Sequence, residues 1–308
     1  MDRLKIRHLR ALVAVAEQGS FVRAAGVLSI TQPAVSKTLA ELEDIVDRKL
    51  LKRTPRGVKL TAAGSVLLRH AGASLRSLSE GLESLAGEHE GEVPALLIGA
   101  LPNVAATVLP PAMLRFGAAT PRARVTVRTG SNAQLMTALR QGVLDLVIGR
   151  LAEPSDMQGL SFEQLYAEAL ILVVRPGHPL ATRRRIDPAH LRQHRLVLPD
   201  AGTRVRKAAD NFFMSSGMGL PPQTIETIDV GFGRSYVLQS DAIWFVPLGV
   251  IENDLRLGAL VRLPIDTKIT EGPVGITRRV DRPASDALLD LVAEIRNSAA
   301  QRLKLQAG

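Results

Sequence analysis

Residues 29–43, SITQPAVSKTLAELE, constrain the local fold more than any other stretch of this 308-residue chain. Thr31 can cap a helix, and Pro33 falls in its first turn, where a missing amide hydrogen costs nothing. At 100° per residue Val35, Thr38, Leu39 and Leu42 share one side, while Pro33, Ser36, Lys37, Ala40 and Asp44 share the other, with Gln32 beside them at the start. The apolar side demands neighbouring helices. The opposite side is short-limbed and polar, so another surface can lie close against it.

The neighbours precede it. Leu9, Leu12, Val13 and Ala16 have helical spacing, which predicts a helix over residues 6–17 that stops at Gly19. Ser20 can cap a second, short helix carrying Ala24, Ala25, Val27 and Leu28. Three short helices with one tight connection make a helix-turn-helix. Residues 50–53 and 57–60 then read as extended pieces around Thr54-Pro55-Arg56-Gly57, a hairpin with a basic tip that can serve as a wing. Net charge agrees: of the formal +9, Met1 to Gly64 holds 12 Lys/Arg against 6 Asp/Glu, so a fifth of the chain carries two thirds of the excess. An anionic partner such as nucleic acid fits that distribution.

Leu68, Ala71, Leu75, Leu78, Leu82 and Leu85 step by 3, 4, 3, 4 and 3 residues. This a/d stripe suits either a helix packed on its own core or a self-associating helix, and its polar flanks favour the second, a dimer. Residues 88–94, EHEGEVP, are polar with Gly and Pro and read as a hinge.

Beyond the hinge, ALLIGA (residues 95–100), RVTVRT (124–129) and LDLVIG (144–149) read as strands, with amphipathic helices over 104–116 and 132–141 between them. A second such set follows: strands at 170–174, 195–198, near 224–227 and at 242–246, with helices over 204–216 and 233–239. The strand 272–279 and a helix from Pro283 to about Leu303 return to the first set. Alternation of this kind predicts an α/β fold of two lobes, each a mostly parallel sheet covered on both faces, with a ligand cleft beyond the strand ends.

Catalytic signatures are missing. There is no phosphate-binding loop, nucleophile elbow, HExxH helix or complete Gly-rich dinucleotide turn, and no cysteine for thiol chemistry, disulfides or cysteine-ligated metal. His178 in GHP reads as a turn residue, and Arg183 to Arg185 as a solvated loop. An enzyme is therefore not expected, nor any metal or cofactor. No export signal or membrane-length apolar run is present, so the expected location is cytoplasmic, away from membranes.

Taken together, these residues resemble a LysR-type transcriptional regulator along the whole chain. Residues 21–64 carry the resemblance most densely, with Ala24-Ala25, Gln32-Pro33-Ala34, Ser36, Leu42-Glu43, Leu50 and Leu60-Thr61 in place. LDLVIGR, RPGHPL and SDAIWFVP are similar to the family's periplasmic-binding-protein-like domain. LKIRHLRALVAVAEQGS, DVGFGRSYVLQSDAIWFV and GPVGIT resemble the subgroup holding the regulator of protocatechuate degradation and the galactose-binding-protein regulator.

The resemblance implies a winged helix-turn-helix DNA-binding domain over residues 1–60, a linker helix for dimerisation over 61–90 and an effector-binding domain over 91–308. Lobe I would span about 93–165 and 268–303, and lobe II about 166–267. It implies that Gln32, Pro33, Ser36 and Lys37 approach base edges or phosphates of double-stranded DNA, that Arg53 and Arg56 act from the wing, and that Ser20 and Thr31 cap helices and touch phosphate. Glu43 would form an internal salt bridge.

For a small-molecule effector, a sugar or an aromatic or organic acid, it implies Pro102, Asn103, Val104, Gly130, Ser131, Asn132 and Arg150 from lobe I. From lobe II it implies Pro199, Asp200, Gly202, Thr203 and Val230. Arg150 would supply a cation or tie down its own loop, and Asp200 suits a sugar hydroxyl better than a carboxylate. The family further implies a homo-oligomer, a dimer of dimers, and RNA polymerase as a partner if the protein activates. A constitutive DNA binder without an effector is the alternative.

Overall fold

In the computed structural model, which describes residues 3–55, 57–85 and 95–307, the first helices are α1 (Ile6–Gln18), α2 (Phe21–Leu28) and α3 (Gln32–Val46). Ser20 and Thr31 cap α2 and α3 as their side chains allow, and Ser29, at φ 56°, makes the left-handed turn between those helices. Strands β1 (Leu51–Thr54) and β2 (Gly57–Leu60) pair antiparallel with Leu51 opposite Leu60, and α4 (Ala62–Leu85) follows. Leu12, Val15, Ala24, Val35, Leu39, Leu42, Leu50 and Leu68 share one core. The apolar side of α3 faces that core, as its spacing predicts.

Core membership divides the a/d stripe of α4. Leu68 belongs to this core and Ala71 is also buried, so neither is available as an exposed dimer contact, a correction to the undivided stripe. Leu75 is half-buried, whereas Leu78 and Leu82 are 42% and 61% exposed. The side chain of Leu85 lies outside the described residues, as does the expected hinge over 88–94.

The chain divides into two units, Met1–Ala95 with Thr137–Leu144, and Leu96–Met136 with Asp145–Gly308. The second unit holds two sheets. From there the elements run β3 (Ala95–Ala100), α5 (Pro102–Ala106), α6 (Leu109–Ala119), β4 (Arg124–Thr129), α7 (Asn132–Arg140), whose last residues fall in the first unit, β5 (Leu146–Arg150) and β6 (Leu160–Glu168). They continue with β7 (Leu170–Val174), β8 (Leu196–Leu198), α8 (Arg204–Ser215), β9 (Thr224–Glu226), α9 (Val230–Leu238) and β10 (Ile243–Pro247). The last are α10 (Leu248–Arg256), β11 (Val261–Arg262), β12 (Gly272–Arg279) and α11 (Asp286–Ala307). Strand order is β4-β3-β5-β12-β6 in lobe I and β11-β7-β10-β8-β9 in lobe II.

Both sheets are mixed rather than mostly parallel. β3 runs parallel to β5, and β10 to β8, but β12 is antiparallel to β5 and β6, and β7 is antiparallel to β10 and β11. The cause is connectivity: the chain enters lobe II through β6 and β7 and returns through β11 and β12, and the returning strand lies beside the outgoing one. Strand β6 alternates too irregularly to read from sequence; it is held by β12, with Gly272 opposite Glu168 and Arg279 opposite Leu160. The helix expected over 104–116 is likewise two helices. Pro110 and Pro111 lack the amide hydrogens that would continue α5, so α6 begins afresh with prolines in its first turn.

Alternation explains why β7 is apolar throughout. Leu170, Leu172 and Val174 pack with Phe212, Phe213 and Phe245, whose rings meet edge to face at 5.2–5.5 Å, while Ile171 and Val173 pack on the other face with Trp244, Val237 and Ile251. Among the described residues, no helix is long and apolar enough to cross a membrane.

Candidate functional site

Two surfaces gather the residues singled out by the sequence, one in each unit. The first is the outer side of α3. Thr31 Oγ1 accepts a hydrogen bond from Ala34 N at 3.4 Å, and Ser20 Oγ accepts one from Arg23 N at 3.4 Å, so both hydroxyls are engaged in capping. Gln32 Nε2 donates to Ser36 Oγ at 3.0 Å, which lays the amide along the helix, and both residues are half-buried. Pro33, Lys37 and Ala40 are exposed beside them. The backbone of Arg53 lies in β1, but its side chain, and Arg56 altogether, lie outside the described residues.

The wing is fastened to the helices at both ends. At its root Glu43 accepts from Lys49 Nζ at 2.7 Å, Leu50 N at 2.8 Å and Leu51 N at 3.2 Å. Burial opposes ionisation of Glu43, but these donors outweigh it and hold its pKa below the ordinary carboxylate value. At its tip Val58 N donates to Gly19 O at 3.0 Å, and a Cβ on Gly57, whose φ is 121°, would stand 2.6 Å from that same oxygen. The expected salt bridge of Glu43 is thus one part of a larger joint, and the Gly19–Gly57 contact has no signature in local sequence.

The second surface is a cleft in the other unit, with a cavity volume of about 100 Å³. Pro102, Asn103, Gly130, Ser131, Asn132, Arg150, Pro199, Thr203 and Val230 line it, as carried over from the family pattern. Val104, Asp200 and Gly202 do not: Val104 is wholly buried in the lobe I core, and the two others sit outside the lining. Sequence reasoning missed Leu101, Arg204, Ile228 and Trp244, which also line it. Arg204 directly follows the singled-out Thr203, a cue available in the sequence; Trp244 reads there only as strand core.

Most polar groups of the cleft are already engaged. Asn103 Nδ2 donates to Glu168 at 2.6 Å, Ser131 Oγ pairs with Gln134 at 2.9 Å, Thr203 Oγ1 donates to Asp200 O at 2.8 Å and accepts from Arg206 N, and Thr227 Oγ1 accepts from Asp229 N. Asn132 Oδ1 is buried without a hydrogen-bond partner among the described residues. Arg150 takes the second of its two expected roles at least in part: its Nη2 donates to the carbonyls of Glu168 and Thr270, the latter at 2.9 Å, and so joins the two strand crossings. His178 is a turn residue as expected, buried, with Nδ1 accepting from Leu180 N.

A family model described as a bacterial regulatory helix-turn-helix protein, lysR family, matches residues 6–65, and one described as the LysR substrate binding domain matches residues 89–300. The chain is 41% identical over 300 residues to the HTH-type transcriptional regulator PcaQ of Agrobacterium fabrum, covering 97% of this chain and 96% of that one. It is 28% identical over 303 residues to the HTH-type transcriptional regulator GbpR of Azospirillum brasilense, covering 98% and 89%. The solved structure of full-length CbnR complexed with its target DNA has a TM-score of 0.58 at 22% identity, covering 96% of this chain and 100% of that one, a likeness of fold.

Proposed function

The chain belongs to the LysR family of transcriptional regulators, and from that premise we propose that it reads dyad-symmetric promoter DNA through α3 and the wing, and responds to a small molecule held in the cleft. It is a regulator and not an enzyme, with a DNA-binding helix-turn-helix and an effector-binding domain. The observation that carries the proposal is the two-sidedness of α3: Val35, Leu39 and Leu42 anchor it, while on the other side Pro33, Lys37 and Ala40 are exposed and Gln32 and Ser36 half-buried. Gln32 can pair with an adenine edge through its amide, and Lys37 with guanine or phosphate. In this reading residues 1–60, 61–90 and 91–308 are the DNA-binding, dimerisation and effector-binding regions, and the effector is a sugar or an aromatic or organic acid. An activator would also contact RNA polymerase.

Gln32→Ala is expected to weaken discrimination among operator variants by about 1–3 kcal/mol, whereas Arg56→Ala lowers affinity on all sequences together with its salt dependence. Fluorescence anisotropy on operator and random duplexes checks this. Equal losses on both for Gln32→Ala would remove it from base reading.

The exposed Leu78 and Leu82 support pairing of α4 with a second copy, with Leu75 at its margin. The double substitution Leu78→Glu and Leu82→Glu is expected to give a smaller particle by light scattering, since each buried leucine contributes about 1.5–3 kcal/mol. An unchanged mass would place dimerisation elsewhere. Two dimers would make the tetramer usual for the family, and an effector that prefers one arrangement by about 1–3 kcal/mol would shift it.

A further inference from the structure

We propose that the effector is a small carboxylate with an apolar, ring-sized body, bound by the Arg150 and Arg204 guanidinium groups; this rests on the cleft being the effector site. Two cations and no carboxylate line the cleft, since Asp200 stands outside it. The nearby acids stay out of the lining, though Glu168 and Glu271 act on Arg150 through their charge. Glu168 pairs with Arg302 at 3.1 Å, Arg302 also binds Glu252 at 3.1 Å, and Glu153 holds Lys207 at 2.9 Å while lying 3.9 Å from Arg204.

Each arginine also keeps donors in reserve. The hydrogen bonds of Arg150 all leave from Nη2, and that of Arg204 from Nη1 to Ala152 O at 2.8 Å, so Nε and one further nitrogen of each have no protein acceptor among the described residues. Arg150 is meanwhile strained electrostatically: burial lowers its pKa most, Glu168 opposes that, and the Arg204 charge lowers it further. An anion between the two guanidinium groups would relieve both effects, and a carboxylate matches their fork geometry.

The remaining wall is apolar, formed by Leu101, Ile228, Val230, Trp244 and Val246. A sugar would bring a ring of hydroxyl groups to a cleft whose own Asn103, Ser131, Thr203 and Thr227 are already paired, and would leave them poorly partnered. An acid with an apolar body meets the two cations and the apolar wall with its like, and a hydroxyl on its ring would satisfy the buried Asn132 Oδ1.

Trp244 is the chain's one tryptophan and reports on this wall directly. The full-length protein is titrated at fixed ionic strength with benzoate, its neutral isostere benzamide, and D-galactose, following Trp244 fluorescence and the thermal midpoint. Benzoate is expected to bind about tenfold to a hundredfold more tightly than benzamide, with no response to galactose. Arg204→Met should erase that preference by weakening benzoate far more than benzamide, and Arg204→Lys should restore part of it.

A response to galactose, or to benzamide as strong as to benzoate, overturns the acid assignment and leaves the cleft as the effector site. A benzoate preference that survives Arg204→Met also overturns it. Silence of Trp244 toward all three at millimolar concentration overturns the assignment and the cleft reading together.

Discussion

Glu168→Ala is expected to destabilise the ligand-binding unit by about 3–5 kcal/mol, because it strips a buried ion pair of one partner. The Glu168 side chain is 2% exposed, and its carboxylate serves three donors: Arg302 Nη2 and Gly249 N on Oε1, at 3.1 and 3.0 Å, and Asn103 Nδ2 on Oε2, at 2.6 Å. Removing it leaves the Arg302 guanidinium, itself 9% exposed, with Glu252 and the face of Tyr166 as its company, and leaves an amide N–H and an asparagine amide without acceptors. Such a group is costlier to strand than to satisfy. Denaturant unfolding followed by Trp244 fluorescence measures the loss; a change below about 1 kcal/mol would mean that Arg302 reaches water or that Glu252 replaces the lost partner. Because Asn103 lines the cleft, the same substitution should also weaken ligand binding.

Leu42→Ala is expected to cost the N-terminal unit about 2–5 kcal/mol, the range for a buried leucine whose cavity cannot collapse. Leu42 is fully buried in the core that holds α3 against α1 and α2, and Glu43 beside it anchors the wing. Loosening this point should therefore reduce affinity for every DNA sequence, since helix and wing lose their common support. Hydrogen exchange of the α3 amides, read alongside anisotropy, distinguishes this from Lys37→Ala, which removes an exposed charge and should lower affinity with stability nearly unchanged. Protection of α3 that stays intact in Leu42→Ala would show that the core refills the space.

The two sides of α3 were legible in the sequence because their signals are local. Thr31 as a cap, Pro33 in the first turn and the spacing of Val35, Leu39 and Leu42 act within a few turns of one helix. The cleft was legible where it lies at helix starts, as with Ser131, Asn132 and Thr203, and through family resemblance. Its aromatic wall was not, for Trp244 reads as strand core and joins residues of lobe I in the lining only after the two strand crossings have formed. Strand β6 was missed for the same reason: its partner β12 begins about a hundred residues further on, and the pairing rather than the alternation holds it.

By itself, then, the sequence determined most of the helices and strands, which side of α3 is anchored in the core, and the family to which the chain belongs. Only the tertiary structure decided that Leu68 and Ala71 are core, that Val104, Asp200 and Gly202 stand away from the cleft, and that Arg150 ties strand crossings 18 and 120 residues away while still facing the cavity. The physical reason is one of range. Capping and amphipathic periodicity operate over three or four residues, whereas desolvation and the pairing of a charge depend on whatever distant chain is folded against it.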